Sequence, residues 1–173
     1  MNPKSNFFEL SIPTRDGQFT ARYSKKGLAG LNFPVGRASS RAVRKEMIPS
    51  KIRVWHRLTE TALKKILAGR NPKNLPPLDL AGTEFQKSVW NALRKISFGK
   101  TKSYGEIAEA IGKPKAVRAV GAVGGACGAN PIPVLVPCHR VLAANKKLGG
   151  FSGGLDWKRR LLKHEGINLP SAG

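Results

Sequence analysis

The sequence predicts a mixed α/β chain of the α+β type: a small N-terminal antiparallel sheet with a helix, then a mostly helical C-terminal part. Three observations predict it. Short runs of strand-forming residues, broken by turn residues, occupy Phe7 to Phe33. A long stretch of helical periodicity follows them. Beyond a proline-rich stretch, helical patterns with recognisable start and stop residues alternate with glycine-rich segments.

Phe7 to Ile12 and Gln18 to Tyr23 are the first two expected strands, with Thr14, Arg15, Asp16 and Gly17 forming the turn between them. Leu28 to Phe33, after the Lys25-Lys26-Gly27 break, is the third, and the three are expected to pair antiparallel. Gly36 to Lys45, rich in Arg, Ser and Ala, reads as a mobile basic loop. From Lys51 to Leu67 the apolar residues Ile52, Val54, Trp55, Leu58, Ala62, Leu63, Ile66 and Leu67 recur at helical spacing, and Gly69 is placed to end the helix. His56 falls within this helix and reads as a surface or core histidine. Asn71 to Pro77, with Pro72, Pro76 and Pro77, reads as a linker, which divides the chain into units 1–75 and 76–173.

In the second unit Thr83 is a suitable N-cap for a helix from Glu84 to Ile96, ended by Phe98-Gly99. Ser103 and Glu106 have capping-box spacing and open a helix through Ile111, with Gly112 as its stop. Pro114 suits the first turn of another helix, Lys115 to about Val123. Two short helices joined by a tight turn make a helix-turn-helix pattern, whose second helix normally enters a DNA groove. Lys113, Lys115 and Arg118 lie at or near the start of that helix, while Ala116, Ala119, Gly121 and Ala122 keep it slim. Gly124 to Gly128 is expected to be too glycine-rich to continue it. Leu142 to Leu148 reads as a polar surface loop, and the glycines around Phe151 and Ser152 suggest backbone that is flexible or lies against a ligand. Asp156 can cap a final helix, Trp157 to Glu165, with Trp157, Leu161 and Leu162 facing the core and Gly166 as its stop. Glu165 is an acid in a last helical turn, where the macrodipole disfavours it.

Composition narrows the partners. The formal net charge is +21 with a pI near 10.8, and the usual physical partner of such a surface is a polyphosphate backbone. An anionic membrane ranks behind nucleic acid, because no apolar run approaches the roughly 20 residues needed to span a bilayer. Met1 to Leu10 lacks the apolar region of a signal peptide, so a cytoplasmic chain is expected. The cysteines Cys127 and Cys138 are then not expected to form a structural disulfide, and with the three histidines they lack zinc-site spacing, so neither metal nor cofactor is implied.

The most informative stretch is Asn130 to Val141, reading N-P-I-P-V-L-V-P-C-H-R-V. A cysteine thiolate is the most nucleophilic ordinary side chain, and neighbouring His or Arg lowers its pKa from about 8.5. Cys138 has His139 and Arg140 beside it in sequence. Pro131, Pro133 and Pro137 exclude an interior helix and suggest an extended, stiffened segment that delivers the cysteine. In extended chain consecutive side chains point apart, so contact between Cys138 and His139 would need a bridging water or a turn at Pro137. Taken alone, Cys138 reads equally as a small buried hydrophobe.

These residues together resemble the O6-alkylguanine-DNA alkyltransferases, also called methylated-DNA–protein-cysteine methyltransferases. The resemblance is carried by P-C-H-R-V at 137–141, N-P at 130–131, T-x-F-Q-x-x-V-W from Thr83 to Trp90, S-Y at 103–104, R-A-V-G at 118–121, and the closing G-G-x-x-x-K and L-L-x-x-E-G. It covers Gly82 to Gly166; the N-terminal half matches only in outline. It implies a self-inactivating methyltransferase that flips O6-alkylguanine out of double-stranded DNA and takes the alkyl group irreversibly onto Cys138. By the same resemblance, His139 would act through a water as base, oriented by Glu165, and Asn130 would brace the segment. Tyr104 would donate a hydrogen bond to the purine and help turn the nucleotide out, and Arg118 would fill the gap in the stack. Lys113, Lys115, Tyr104 and Ala119 would meet DNA. The pocket would be lined by backbone around Cys138, Val141 and Pro133, with Phe151 and Ser152. The protein would act as a monomer without metal, cofactor or membrane.

Three departures stand out. Phe151 occupies a place where most relatives carry tyrosine. The interval from Arg118 to Asn130 is about three residues longer than the family pattern, which introduces Cys127 and is expected to lie behind the groove-facing helix. The N-terminal unit lacks the Cys and His ligands that give some relatives a structural zinc. Rival readings are weaker: a lesion-binding sensor would not need Cys138, a regulator using only a helix-turn-helix would not need the Cys-His-Glu set, and a cysteine hydrolase would not explain the charge.

Overall fold

The computed structural model describes residues 7–35, 47–113 and 117–169. The expected basic loop Gly36 to Lys45 lies outside these residues, as do Pro114, Lys115 and Ala116.

Strands β1 (Phe8–Thr14), β2 (Gly17–Tyr23) and β3 (Leu28–Asn32) form an antiparallel sheet in that order. Alternation explains the pairing of β1 and β2, which runs from Phe8 opposite Tyr23 to Thr14 opposite Gly17. One face buries Ile12, Phe19, Ala21 and Tyr23, and Leu28 and Leu31 of β3 join the same core. Helix α1 (Ser50–Leu67) contributes Ile52, Ala62, Leu63, Ile66 and Leu67 to it. Each fully buried Ile or Leu among them contributes about 1.5–3 kcal/mol, so packing rather than propensity holds α1 to the sheet. Gly69, at φ +70, ends the helix as expected.

The chain after α1 returns to the sheet. Leu28 N–H donates to Pro77 O at 2.8 Å, and Asp79 N–H donates to Leu28 O at 2.7 Å. On the same strand, Leu31 N–H donates to Pro131 O at 2.9 Å, which ties the sheet directly to the segment before Cys138.

Helix α2 (Glu84–Leu93) opens with a full capping box: Gln86 N–H donates to Thr83 Oγ1, and Thr83 N–H donates to Gln86 Oε1. It stops short of the expected Ile96, because the chain tightens there and presents the Ile96 carbonyl to Arg140 Nη1 at 2.6 Å. Ser103 and Glu106 form the expected capping box of α3 (Tyr104–Ala110).

Helix α4 spans Val117–Gly128, which corrects the expectation that Gly124 to Gly128 leave the helix. Each helical glycine costs about 1 kcal/mol against alanine, but Val123, Ala126 and Cys127 are buried, and Trp90 Nε1–H donates to the Ala126 carbonyl at 2.8 Å. Tertiary anchoring of that last stretch outweighs its poor propensity.

Three further expectations are corrected. Asn130 to Val141 is not extended: Pro133–Leu135 form a turn with Val134 at φ +75, and Cys138–Arg140 is a single 3₁₀ turn. A β-branched residue in the left-handed region costs about 1–3 kcal/mol, and it is held by Val136 N–H donating to Ile132 O at 2.9 Å. Leu142 does not open a surface loop: with Val141 it forms a buried two-residue strand, β5, parallel to β4 (Lys102–Ser103). Asp156 does not cap the last helix; α5 (Leu155–His164) starts after Gly154, and Asp156 lies in its first turn. Among the described residues, no helix is long and apolar enough to cross a membrane.

Candidate active site

Asn130, at the exit of α4, organises the turn that follows. Its Oδ1 accepts from Ile132 N–H at 3.0 Å, while its Nδ2 donates to Val136 O at 2.8 Å and to Cys138 Sγ at 3.2 Å. The 3₁₀ turn at Pro137 then separates the directions of the next side chains. Cys138, 3% exposed, faces a cavity, while His139, wholly buried, faces α5.

His139 Nε2 lies 2.7 Å from Glu165 Oε1. Arg140 turns away from Cys138, contrary to the cationic company its position suggested. It instead clasps Glu165, Nε donating to Oε2 at 2.9 Å and Nη2 donating to Oε1 at 3.0 Å. Gly99 N–H adds a bond to Glu165 Oε2 at 3.0 Å. Burial alone would raise the Glu165 pKa, but the bonds from His139 and Arg140 hold it down to about 2. The carboxylate is therefore ionised and can only accept. Burial pushes the His139 pKa below its ordinary value, so the ring is neutral near pH 7 and donates from Nε2 to Glu165. Nδ1 then carries the free lone pair, and among the described residues it has no hydrogen-bond partner. The odd position of Glu165 at a helix C-terminus is thereby accounted for: Arg140, not the helix, supplies its counter-charge.

Burial pushes the Cys138 thiol up to about 11, with Asn130 and Lys158 pulling the other way. The cavity beside it has a volume of about 540 Å³ and is lined by Tyr104, Val120, Gly121, Gly124, Cys127 and Phe151, among others that include Ser152. Cys127 therefore lines the cavity rather than lying behind the helix. Val141 and Pro133 are buried nearby and are not among its lining residues. Tyr104, first in α3, hangs over the rim with its hydroxyl 3.4 Å from Gly150 O, and burial pushes its pKa up to about 12, so it stays a donor. Gly149, at φ +65, permits this approach, since a Cβ there would lie 2.9 Å from the Tyr104 hydroxyl. Phe151 stacks edge-on against Phe33 (centroids 5.7 Å apart), which fixes the loop to the sheet.

Arg118 and Lys113 are exposed at the start of α4 and before it, and Ala119 is half-buried; Lys115 lies outside the described residues. The sequence reading assigned no task to Lys158, which is fully buried with Nζ donating to Val141 O (2.7 Å), Gly150 O (3.2 Å) and Leu148 O. Burial lowers its pKa to about 8. Its place in the G-G-x-x-x-K motif was the only signal available.

Comparison with known proteins adds independent findings. Residues 84–167 match the family described as 6-O-methylguanine DNA methyltransferase, DNA binding domain. The chain is similar to the methylated-DNA–protein-cysteine methyltransferase of Methanosarcina acetivorans, 62% identical over 85 residues, covering 49% of this chain and 53% of that protein. Such matches span about half the length of the curated relatives. It is also similar over its whole fold to the crystal structure of Mycobacterium tuberculosis O6-methylguanine methyltransferase, with TM-score 0.71, 35% identity and 96% of both chains covered. The structure of a Mycobacterium tuberculosis protein of this kind in complex with DNA gives TM-score 0.68 and 36% identity, covering 91% of this chain and 92% of that one.

Proposed function

This chain belongs to the O6-methylguanine-DNA methyltransferase family, and on that premise we propose that it repairs O6-alkylguanine in double-stranded DNA by moving the alkyl group onto Cys138. The observation that carries the reading is the pairing of a nearly buried Cys138, which lines the cavity, with a neutral His139 whose Nε2–H is fixed by an ionised Glu165.

The chemistry follows from these groups. A base inside a duplex is out of reach, so the nucleotide is turned out at a cost of a few kcal/mol, least for a damaged pair. Arg118, exposed on α4, fills the space left, and Lys113 and Lys115 hold phosphates, with Ala119 allowing close approach. Behind the cavity wall, the free Nδ1 of the buried His139 takes the Cys138 proton through a water, offsetting the thiol's raised pKa. The sulfur then attacks the alkyl carbon, the carbon–O6 bond breaks, and Tyr104 stabilises the departing guanine by donating to it. Asn130 holds the sulfur on line, and Phe151 and Ser152 wall the base. A thioether has no easy exit, so each molecule reacts once. One chain supplies every group named, which supports a monomer, and a free acceptor thiol suits a reducing cytoplasm. Unit 76–173 carries the reaction, and unit 1–75, with roughly half the basic residues, adds sequence-independent affinity.

The test is intact mass after incubation with a duplex containing one O6-methylguanine. The expected result is a gain of one methylene, mapped to the Cys138 peptide and absent in Cys138→Ala. Unchanged mass despite lesion binding would reject alkyl transfer.

A further inference from the structure

The reaction above uses one of two buried thiols. Cys127, brought in by the longer interval after Arg118, is the other. Its carbonyl accepts from Asn130 N–H at 3.3 Å, and the Asn130 amide reaches Cys138 Sγ at 3.2 Å, so one residue bridges the two cysteines. Both thiols are free, both line the same cavity, and they are 6% and 3% exposed. Cys138 adds to the burial that raises the Cys127 thiol, and Lys158 lowers both.

We propose that Cys127 is a resolving thiol, which captures the peroxide-oxidised form of Cys138 as a reversible Cys127–Cys138 disulfide. The purpose assigned to it rests on reading Cys138 as the acceptor. A single-use acceptor lost to sulfinic or sulfonic acid is lost for good, whereas a disulfide returns with thiol. The steps balance. Peroxide transfers one oxygen to the Cys138 sulfur, giving a sulfenic acid and one water. The Cys127 sulfur attacks that sulfur; the S–S bond forms, the S–O bond breaks, and the oxygen leaves as a second water with the Cys127 proton. Two thiols are oxidised by two electrons and one peroxide is reduced to two waters.

The experiment treats the full chain and Cys127→Ser with a small excess of hydrogen peroxide, then reads intact mass and linked peptides before and after added thiol. The wild type is expected to lose two hydrogens, to yield one peptide pair joined through Cys127 and Cys138, and to regain its mass and its own initial methyl uptake with thiol. Cys127→Ser is expected to gain two or three oxygens at Cys138 and to stay inactive; Cys127→Ala, checked for folding by circular dichroism, should do the same. Wild type that gains those oxygens without a linked pair, or Cys127→Ser that recovers as fully as wild type, overturns the proposal. The linkage is also a distance test, since a disulfide requires Cα atoms within about 7 Å. Methyl uptake by untreated protein is scored separately: its absence removes the repair reading and leaves the disulfide result standing, while normal uptake without linkage removes only the resolving thiol.

Discussion

His139 Nε2 and Glu165 Oε1 lie 2.7 Å apart with both side chains fully buried, and this contact fixes the tautomer of the ring. An ionised carboxylate can only accept, so the ring proton sits on Nε2 and the lone pair on Nδ1. Arg140 makes this possible by keeping Glu165 charged inside the protein. The three groups act as one unit, and the consequences of breaking it differ for stability and for chemistry.

Glu165→Gln removes the charge but keeps the shape. It leaves the Arg140 guanidinium buried without its carboxylate, and a glutamine can either donate to or accept from Nε2. Loss of one partner from a buried pair costs about 3–5 kcal/mol, and loss of a general base costs about 10²–10⁴ in rate. Denaturant unfolding should show the first and single-turnover methyl transfer the second. A rate loss no larger than the loss of folded protein would remove the catalytic part of this account.

The acid limb of the reaction should lie below pH 6.5, the ordinary imidazole midpoint, because burial disfavours protonated His139. The neutral base therefore persists through neutrality and fails only when the ring gains its proton. Glu165 shifts the same way for stability: held at about 2, it contributes stability that is full above its ordinary value of 4.5 and is lost as pH falls toward 2. Single-turnover rates across pH 5 to 8, about the range over which histidines titrate, decide the point. A limb centred at or above 6.5 contradicts it.

What was legible in the sequence was local. The Ser103–Glu106 capping box, the Gly69 and Gly166 stops and the β1–β2 turn each depend on neighbours a few residues apart, and each formed where the pattern placed it. The helix through Gly124 to Gly128 was not legible, because Trp90 anchors it from a position 36 residues away. Nor was the task of Arg140, whose partner Glu165 lies 25 residues on. Lys158 was hidden for a related reason: a lysine between Trp157 and Arg159 reads as solvated, and only the fold reveals the carbonyls that surround it.

Lys158→Met should loosen the cavity wall. It leaves carbonyls of Val141, Leu148 and Gly150 without the ammonium that ties them, at about 1–3 kcal/mol for each one left unsatisfied. Amide hydrogen exchange should speed up over Leu148 to Ser152 in this variant. Exchange there as slow as in wild type would show that Phe151 packing on Phe33 suffices to hold the loop.

Gly125→Ala should stabilise the protein and so expose what that glycine is for. A Cβ at this position meets nothing within 4 Å inside the protein, and alanine gains about 1 kcal/mol in a helix interior. The internal structure therefore gives no reason for glycine there. The expected outcome is a higher melting temperature together with weaker binding to duplex DNA, since the added methyl stands on the exposed side of α4. A stabilised variant with undiminished affinity would place the DNA on another face.

Lys113 and Arg118 should separate affinity from base turning. With a net charge of +21, binding to unmodified duplex should weaken steeply as salt rises. If Lys113 holds a phosphate as proposed, Lys113→Ala should flatten the plot of log affinity against log salt by about one unit, uniformly across sequences. If, as proposed, Arg118 fills the stack, the main deficit of Arg118→Ala should appear in methyl transfer from a paired O6-methylguanine and shrink when the lesion is placed in single-stranded DNA, where nothing has to be filled. Equal deficits on single and double strands would mean that Arg118 contributes charge alone, and the turning of the nucleotide would then rest on Tyr104.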